Sequence, residues 1–248
     1  MKNKTIIITG AAGEIGFATA RKFVEAGANV MLVDLNEEAL AAKAAELGSD
    51  RVAWCTADVT KEPDVQNYVI TTLEKFGGID FFFNNAGVEG SVAPLTELDI
   101  DDFDKVMRVN VYGVVLGMKH VLKRMNEGGS VVITSSVAGL RGTPGMTPYI
   151  TSKHATIGIM RTAALEASAK GIRVNTVHPG PIDSRMMESL ESGLGADSEQ
   201  IRQGYEQQIP LSRYGQEEEV ANMVFFLLSE EASYSTGGTF VLDGGLTA

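Results

Sequence analysis

The chain predicts a doubly wound α/β fold on a parallel sheet, and three features carry that expectation. Short β-branched or aromatic runs alternate with longer segments of helical spacing, the runs are apolar throughout, and the joints between them are short. A strand apolar on both faces is buried on both, as in a parallel sheet covered by helices. Repeated strand–helix–strand units close with right-handed crossovers and set helices on both sides of one sheet.

Seven runs read as strands: Thr5–Thr9, Asn29–Asp34, Val52–Thr56, Ile79–Asn84, Ser130–Ser135, Arg173–His178 and Thr239–Leu242. After the first, Ile15, Ala18, Thr19, Phe23 and Ala26 keep helical spacing until Gly27 stops the segment. The most regular helix holds Phe103, Val106, Met107, Asn110, Val111, Val114, Val115 and Met118 on one stripe. Residues 183–212 are the least regular stretch, with Gly193, Gly195 and Gly204 interrupting weak helical patterns. That stretch is too long for a plain connection and is expected to be a mobile substrate lid inserted in one domain spanning 1–248.

Composition narrows the function. A length of 248 residues suits one α/β domain, and 44% apolar with 21% charged residues suits a globular core. With 21 basic and 32 acidic residues the net charge is −11. No basic run offers a footing for nucleic acid or an anionic membrane. The lone Cys55 has no partner for an intrachain disulfide, which points to a reducing cytoplasm. Met1-Lys2-Asn3-Lys4 leads straight into a short strand-like run, with no apolar stretch long enough for a signal peptide or a span.

A dinucleotide seat is expected where Thr9-Gly10-Ala11-Ala12-Gly13-Glu14-Ile15-Gly16 follows the first strand. Glycines 10, 13 and 16 allow a tight turn, close approach to a pyrophosphate and close helix–strand packing. The helix beginning near Glu14 would point its amides and positive end at the phosphates. Asp34 ends the second strand, where a carboxylate accepts hydrogen bonds from adenosine ribose hydroxyls and repels a 2′-phosphate. The alternative for Asp34 is an N-cap of the helix near Asn36. Gly13 and Leu35 stand where Arg or Lys would favour NADP, so NAD is the expected cofactor. The turn lacks the Gly-Lys-Ser/Thr ending of a phosphate-binding P-loop, which disfavours nucleotide hydrolysis.

Tyr149 and Lys153 stand four residues apart and share a helix face, with Ser136 thirteen residues upstream of Tyr149. Alone, that pair reads as an exposed helical contact and Ser136 as a strand-end cap. With the glycine turn, Asp34, Asp58-Val59, Asn84-Asn85-Ala86-Gly87, Asn110, Tyr149-Ile150-Thr151-Ser152-Lys153 and Pro179-Gly180, the chain resembles the short-chain dehydrogenase/reductase family over nearly its whole length. The resemblance implies a Rossmann-type fold and a nicotinamide-dependent oxidoreductase interconverting a secondary alcohol and its ketone.

It also implies roles. Tyr149 would be the acid/base, Ser136 would bond the reacting oxygen, and Lys153 would hold the cofactor ribose. A free phenol has a pKa near ~10, and the Lys153 ammonium beside a positive nicotinamide would lower it. Asn110 would anchor a water linking Lys153 to solvent, although on its apolar stripe it also reads as a buried, satisfied amide. Asp58 and Val59 would flank the adenine. Asn85, Ala86 and Gly87 would line the cofactor, and Pro179, Gly180, the Ile182 amide and Ser184 would meet the nicotinamide.

Glu14 departs from the family turn, which has glycine there, and would disfavour the pyrophosphate unless it turns away. Val88, Leu140, Met146, Met186 and Met187 would give Ser136 and Tyr149 an apolar, adaptable substrate pocket. Arg141 reads as exposed, with binding of a substrate anion as the alternative. His120, His154 and His178 lack metal-ligand spacing and form no triad with Ser136.

Three rival functions compete for these residues. A 3-oxoacyl-[acyl-carrier-protein] reductase usually prefers NADP and docks an acidic partner, against Asp34 and the negative charge. An enoyl reductase would space Tyr and Lys more widely. A catalytically silent NAD-binding regulatory protein would have no need of Ser136, Tyr149 and Lys153. The family also implies a homotetramer, pairing the helices of residues 102–125 and 149–170 across one dyad and using the C-terminal strand at a second interface.

Overall fold

The computed structural model describes residues 1–193 and 198–248. Among the described residues seven parallel strands form one sheet: β1 (Thr5–Thr9), β2 (Asn29–Asp34), β3 (Val52–Thr56), β4 (Phe81–Asn84), β5 (Ser130–Thr134), β6 (Arg173–Pro179) and β7 (Thr239–Leu242). Their order is β3-β2-β1-β4-β5-β6-β7. The sheet is flanked by α1 (Glu14–Glu25), α2 (Glu37–Leu47), α3 (Glu62–Phe76), α4 (Ile100–Met107), α5 (Val114–Arg124), α6 (Thr147–Ala167), α7 (Arg185–Gly193), α8 (Ser198–Gln208) and α9 (Glu217–Leu228).

The continuous apolar runs serve two cores at once. Ile7 joins Met31, Phe82 and Val131 under α3, α5 and α6, whereas Ile6 and Ile8 join Val30, Leu32, Phe81 and Phe83 under α1, α2 and α9. Alternate side chains of one strand thus enter opposite cores, and each fully buried aliphatic is worth roughly 1.5–3 kcal/mol. The winding reverses between β1 and β4, and the crevice beyond their carboxyl ends is the expected ligand position in an open α/β sheet.

Local capping excludes the alternative role for Asp34. Asn36, not Asp34, caps α2, its Oδ1 accepting from Ala39 N at 3.0 Å. The long regular helix is also broken: Arg108–Gly113 forms a wide π-helical turn between α4 and α5. The extra residue rotates α5 about its axis, so Val115 is 40% exposed while Leu116 and Gly117 turn inward. Such insertions are frequent at functional sites, and this one carries Asn110. In the expected lid, Gly193 ends α7 and Gly204 lies inside α8 rather than interrupting it. Gly195, with the rest of 194–197, lies outside the described residues. Among the described residues no helix is long and apolar enough to cross a membrane.

Candidate active site

The turn after β1 is shaped by two of its three glycines. Gly10 has φ +65°, and a Cβ there would stand 3.0 Å from Ala86 Cα. A Cβ on Gly16 would lie 2.2 Å from Gly10 O, so only glycine lets α1 start this close to the strand. Gly13 is different: its φ is −78°, and an added Cβ would meet only Gly10 O at 3.5 Å. Among the described residues no side chain caps α1, and its first-turn residues Glu14, Ile15 and Gly16 line the adjoining cavity. Glu14 is exposed, and its Oε1 accepts from Arg185 N of α7 at 3.4 Å. Its carboxylate therefore turns toward the segment after β6.

Asn85 fastens this turn to the middle of the sheet. Its Nδ2 donates to Thr9 O at 3.1 Å, its Oδ1 accepts from Thr134 Oγ1 at 2.9 Å, and its amide donates to Thr9 Oγ1 at 2.9 Å. At the end of β2, Asp34 Oδ2 accepts from Ala12 N at 3.1 Å and Oδ1 from Asn36 N at 3.2 Å. The carboxylate thus holds the glycine turn and still edges the cavity, with exposed Leu35 beside it. Asp58 Oδ1 accepts from Thr60 N and Oγ1 at 3.0 and 2.7 Å. Partial burial pushes Asp58 up, but these bonds and Lys61 outweigh it and hold it below its ordinary range.

The catalytic candidates meet on the far side. The tight turn Val137–Gly139 packs so closely on α6 that a Gly139 Cβ would stand 2.7 Å from Lys153 O. Ser136 lies at the head of that turn, its Oγ accepting from Ala138 N at 3.1 Å and donating to Pro179 O at 3.3 Å. Tyr149 and Lys153, 8% and 4% exposed, lie one turn apart on α6, with Lys153 Nζ 5.4 Å from the Tyr149 ring centre. Nζ donates to Thr134 O at 3.0 Å. Burial pushes the Tyr149 phenol up to about 12, against a Ser136 hydrogen bond that lowers it, and pushes Lys153 down to about 8. Desolvation favours the neutral form of each.

Asn110 lies behind this wall rather than on it. Its Oδ1 accepts from Val88 N and its Nδ2 donates to Val88 O, both at 2.8 Å, and Nδ2 also donates to Ser152 Oγ at 3.0 Å. The side-chain amide is therefore a brace between the π turn, the irregular segment after Gly87 and α6.

These groups share one cavity of about 740 Å³. Every expected cofactor residue lines it: Gly10, Gly13, Glu14, Ile15, Gly16, Asp34, Leu35, Asp58, Val59, Asn85, Ala86, Gly87, Pro179, Gly180, Ile182 and Ser184, along with Tyr149 and Lys153. Of the expected catalytic and substrate residues, Ser136, Val88, Met146, Met186 and Met187 line it too. Leu140 does not join them; it is 41% exposed and off the cavity wall. Ser184 is engaged locally, donating to Ile182 O at 3.1 Å and accepting from Met187 N at 3.4 Å.

Arg141 and Tyr205, the second in the expected lid, line it as well, and Leu246 joins them from the C-terminal segment, where the sequence carried no signal. Tyr205 stands edge-on to Tyr214, whose hydroxyl donates to buried Glu191 of α7 at 2.8 Å. Arg202 of α8 lies over the Tyr214 ring and pairs with Asp183 at 2.9 Å. Both helices of the expected lid are thereby tied to the body. Among the described residues no three His, Cys, Asp or Glu side chains cluster as metal ligands.

A family model described as enoyl-(acyl carrier protein) reductase matches residues 10–247. Levodione reductase of Leifsonia aquatica is 42% identical over 99% of this chain and 95% of that protein. The chain belongs to the short-chain dehydrogenase/reductase family. Its relatives are dehydrogenases and reductases; 2,5-dichloro-2,5-cyclohexadiene-1,4-diol dehydrogenase of Sphingobium indicum is 38% identical, covering 100% of this chain and 98% of its own length. A crystal structure of levodione reductase matches with TM-score 0.96 at 39% identity, covering 99% and 98% of the two chains. One of NAD+-bound xylitol dehydrogenase matches with TM-score 0.93 at 36% identity, covering 98% and 99%.

Proposed function

We propose that the chain is an NAD-dependent oxidoreductase that interconverts a secondary alcohol and its ketone. The observation that carries this reading is one cavity with the Gly10–Gly16 turn and Asp34 at one end and Ser136, Tyr149 and Lys153 at the other. The cradle suits a dinucleotide: Gly16 leaves room where any Cβ would collide, and the uncapped start of α1 offers amides to phosphate. Asp34 would accept from the ribose hydroxyls, and Lys153 would hold the second ribose. When bound, the oxidised nicotinamide supplies the hydride acceptor, the reduced form the donor, and its positive ring favours a phenolate beside it.

Tyr149 takes the alcohol proton in oxidation and returns it to the carbonyl oxygen in reduction. Ser136, whose one hydroxyl hydrogen rests on Pro179 O, turns it to that oxygen when substrate binds and fixes its place. Lys153, cationic below about 8, stabilises the phenolate that the buried phenol resists forming. Asn110 braces α6 against the Val88 backbone, so the Tyr149 face keeps its register.

Val88, Met146, Met186, Met187 and Leu190 give the reacting end an apolar wall that suits a neutral, cyclic substrate. One relative is named for a cyclohexadiene diol, which agrees. Steady-state oxidation of cyclic secondary alcohols against acyclic and anionic ones tests the pocket, with the cyclic ones expected to show the higher kcat/KM. The helices α5 and α6, with Val115 and Leu165 exposed along them and Tyr112 exposed on the π turn before α5, are read as tetramer surfaces, which sedimentation checks.

The preference for NAD rests on the charge of Asp34. Asp34→Asn keeps an acceptor for Ala12 N while removing the charge that repels a 2′-phosphate. The expected result is an NAD over NADP ratio of kcat/KM lower by about tenfold, equivalent to about 1.4 kcal/mol. An unchanged ratio would place cofactor choice elsewhere.

A further inference from the structure

We infer that His178 is a positioning residue for Ser136, an inference that rests on the role in hydrogen-bonding the substrate proposed above for Ser136. His178 is wholly buried near the end of β6, and its Nδ1 lies 2.9 Å from Ser136 O. A carbonyl oxygen only accepts, so Nδ1 carries the hydrogen. In the neutral ring Nε2 is then an acceptor, and Thr176 Oγ1 stands 2.8 Å from it. Thr176 has a single hydroxyl hydrogen and also faces Gly238 O at 3.3 Å; the shorter contact takes it. Burial, with the nearby Lys153 charge, holds His178 below its usual range, which agrees with a neutral ring of fixed tautomer.

The consequence falls on Ser136. Its carbonyl receives two donors, His178 Nδ1 and Gly139 N at 2.8 Å, the second closing the tight turn at Val137–Gly139. The next residue of β6, Pro179, accepts from Ser136 Oγ through its own carbonyl. Two consecutive residues of β6 therefore grip Ser136 at both ends, His178 by the main chain and Pro179 by the side chain. Fixing the peptide plane fixes the Cα–Cβ direction and so the path along which Oγ reaches the cavity. An apolar residue of similar volume would fill the same space, but it would leave that plane unheld on one side. The relay runs from Thr176 through the imidazole to the Ser136 carbonyl, and none of its atoms touches substrate.

Substitution can separate the two ends of the ring. An Asn amide nitrogen, bonded to Cγ, stands where Nδ1 stands, whereas a Gln amide reaches toward the place of Nε2. His178→Asn keeps the bond to Ser136 and loses Thr176; His178→Gln does the reverse, and His178→Leu loses both. The experiment is kcat and KM for the best alcohol of the parent enzyme, with cofactor affinity measured by binding and folding by thermal melting. The expected result is a kcat roughly tenfold lower in His178→Leu and His178→Gln, cofactor affinity unchanged, and kcat restored in His178→Asn.

Repeating the substitutions in Ser136→Ala should produce no further fall in kcat, because the group being positioned is gone. Equal losses in the Asn and Gln variants, or a further loss in the Ser136→Ala background, would overturn the positioning role. A Ser136→Ala enzyme with the parent's kcat would instead remove the reading on which the inference rests. If His178→Leu fails to fold, the Asn and Gln pair decides alone.

Discussion

Tyr149→Phe is expected to fold and bind NAD like the parent while turning over about 10²- to 10⁴-fold more slowly, the range of a lost general acid/base. The change removes one oxygen that makes a long approach of 4.0 Å to Met186 Sδ, so the fold loses little with it. What disappears, in the proposed mechanism, is the group that exchanges a proton with the substrate oxygen. The same group sets the sign of the pH dependence. Oxidation needs the phenolate and should rise with pH, whereas reduction needs the phenol and should fall as pH rises. Burial, only partly offset by Ser136, places that phenol at about 12, so the midpoint of an oxidation profile at lower pH measures what Lys153 and the bound cofactor contribute. Binding by fluorescence and turnover by absorbance, on the same preparation, check both halves of the expectation. Near-parental turnover would remove Tyr149 from the chemistry.

Gly16→Ala is expected to have the largest effect on the cofactor seat, with Gly13→Ala as its control. The added methyl at Gly16 would stand 2.2 Å from Gly10 O and 2.9 Å from Ala11 Cα, both main-chain atoms. Relief requires α1 to move off β1, at a cost of about 1–3 kcal/mol or more, and it moves the amides that face the phosphates. Melting temperature and cofactor affinity should therefore fall together. Gly13→Ala meets nothing closer than 3.5 Å at a negative φ, so its melting temperature should match the parent. Equal melting of all three proteins would mean that the turn is not packed as described.

The sheet was legible because a strand covered on both faces has to be apolar at every position, and runs such as Ile6-Ile7-Ile8 and Phe81-Phe82-Phe83 admit no other place. The site was legible where one residue type at a fixed spacing performs a task, as with Gly16 and with Tyr149 and Lys153. Steric need separates the glycines more sharply than the motif does: Gly16 is compulsory, whereas Gly13 carries no steric demand.

Other features depend on contacts between residues far apart in sequence. The π turn at Asn110 has no Gly or Pro before its last residue to mark a break and only shifts phase, so a 3.6-residue period carries the stripe one position too far and turns Val115 inward. Glu14 reads as a liability beside a pyrophosphate until Arg185, distant in sequence, is placed across from it. Leu246 reaches the cavity from the C-terminal segment, with nothing local to mark it. His178 did leave a signal: a histidine in an otherwise buried strand has to find partners for both ring nitrogens. Which partners, and the fact that one is the Ser136 carbonyl, required the fold.

NAD-dependent interconversion of an alcohol and a ketone underlies every role assigned to these residues. Following nicotinamide reduction with a panel of cyclic secondary alcohols, NAD and NADP in parallel, puts it to trial in one experiment. Turnover is expected with NAD, at a kcat/KM at least about tenfold above that with NADP. Turnover with NADP alone would contradict the part assigned to Asp34, and cofactor binding without turnover across the panel would contradict the activity itself.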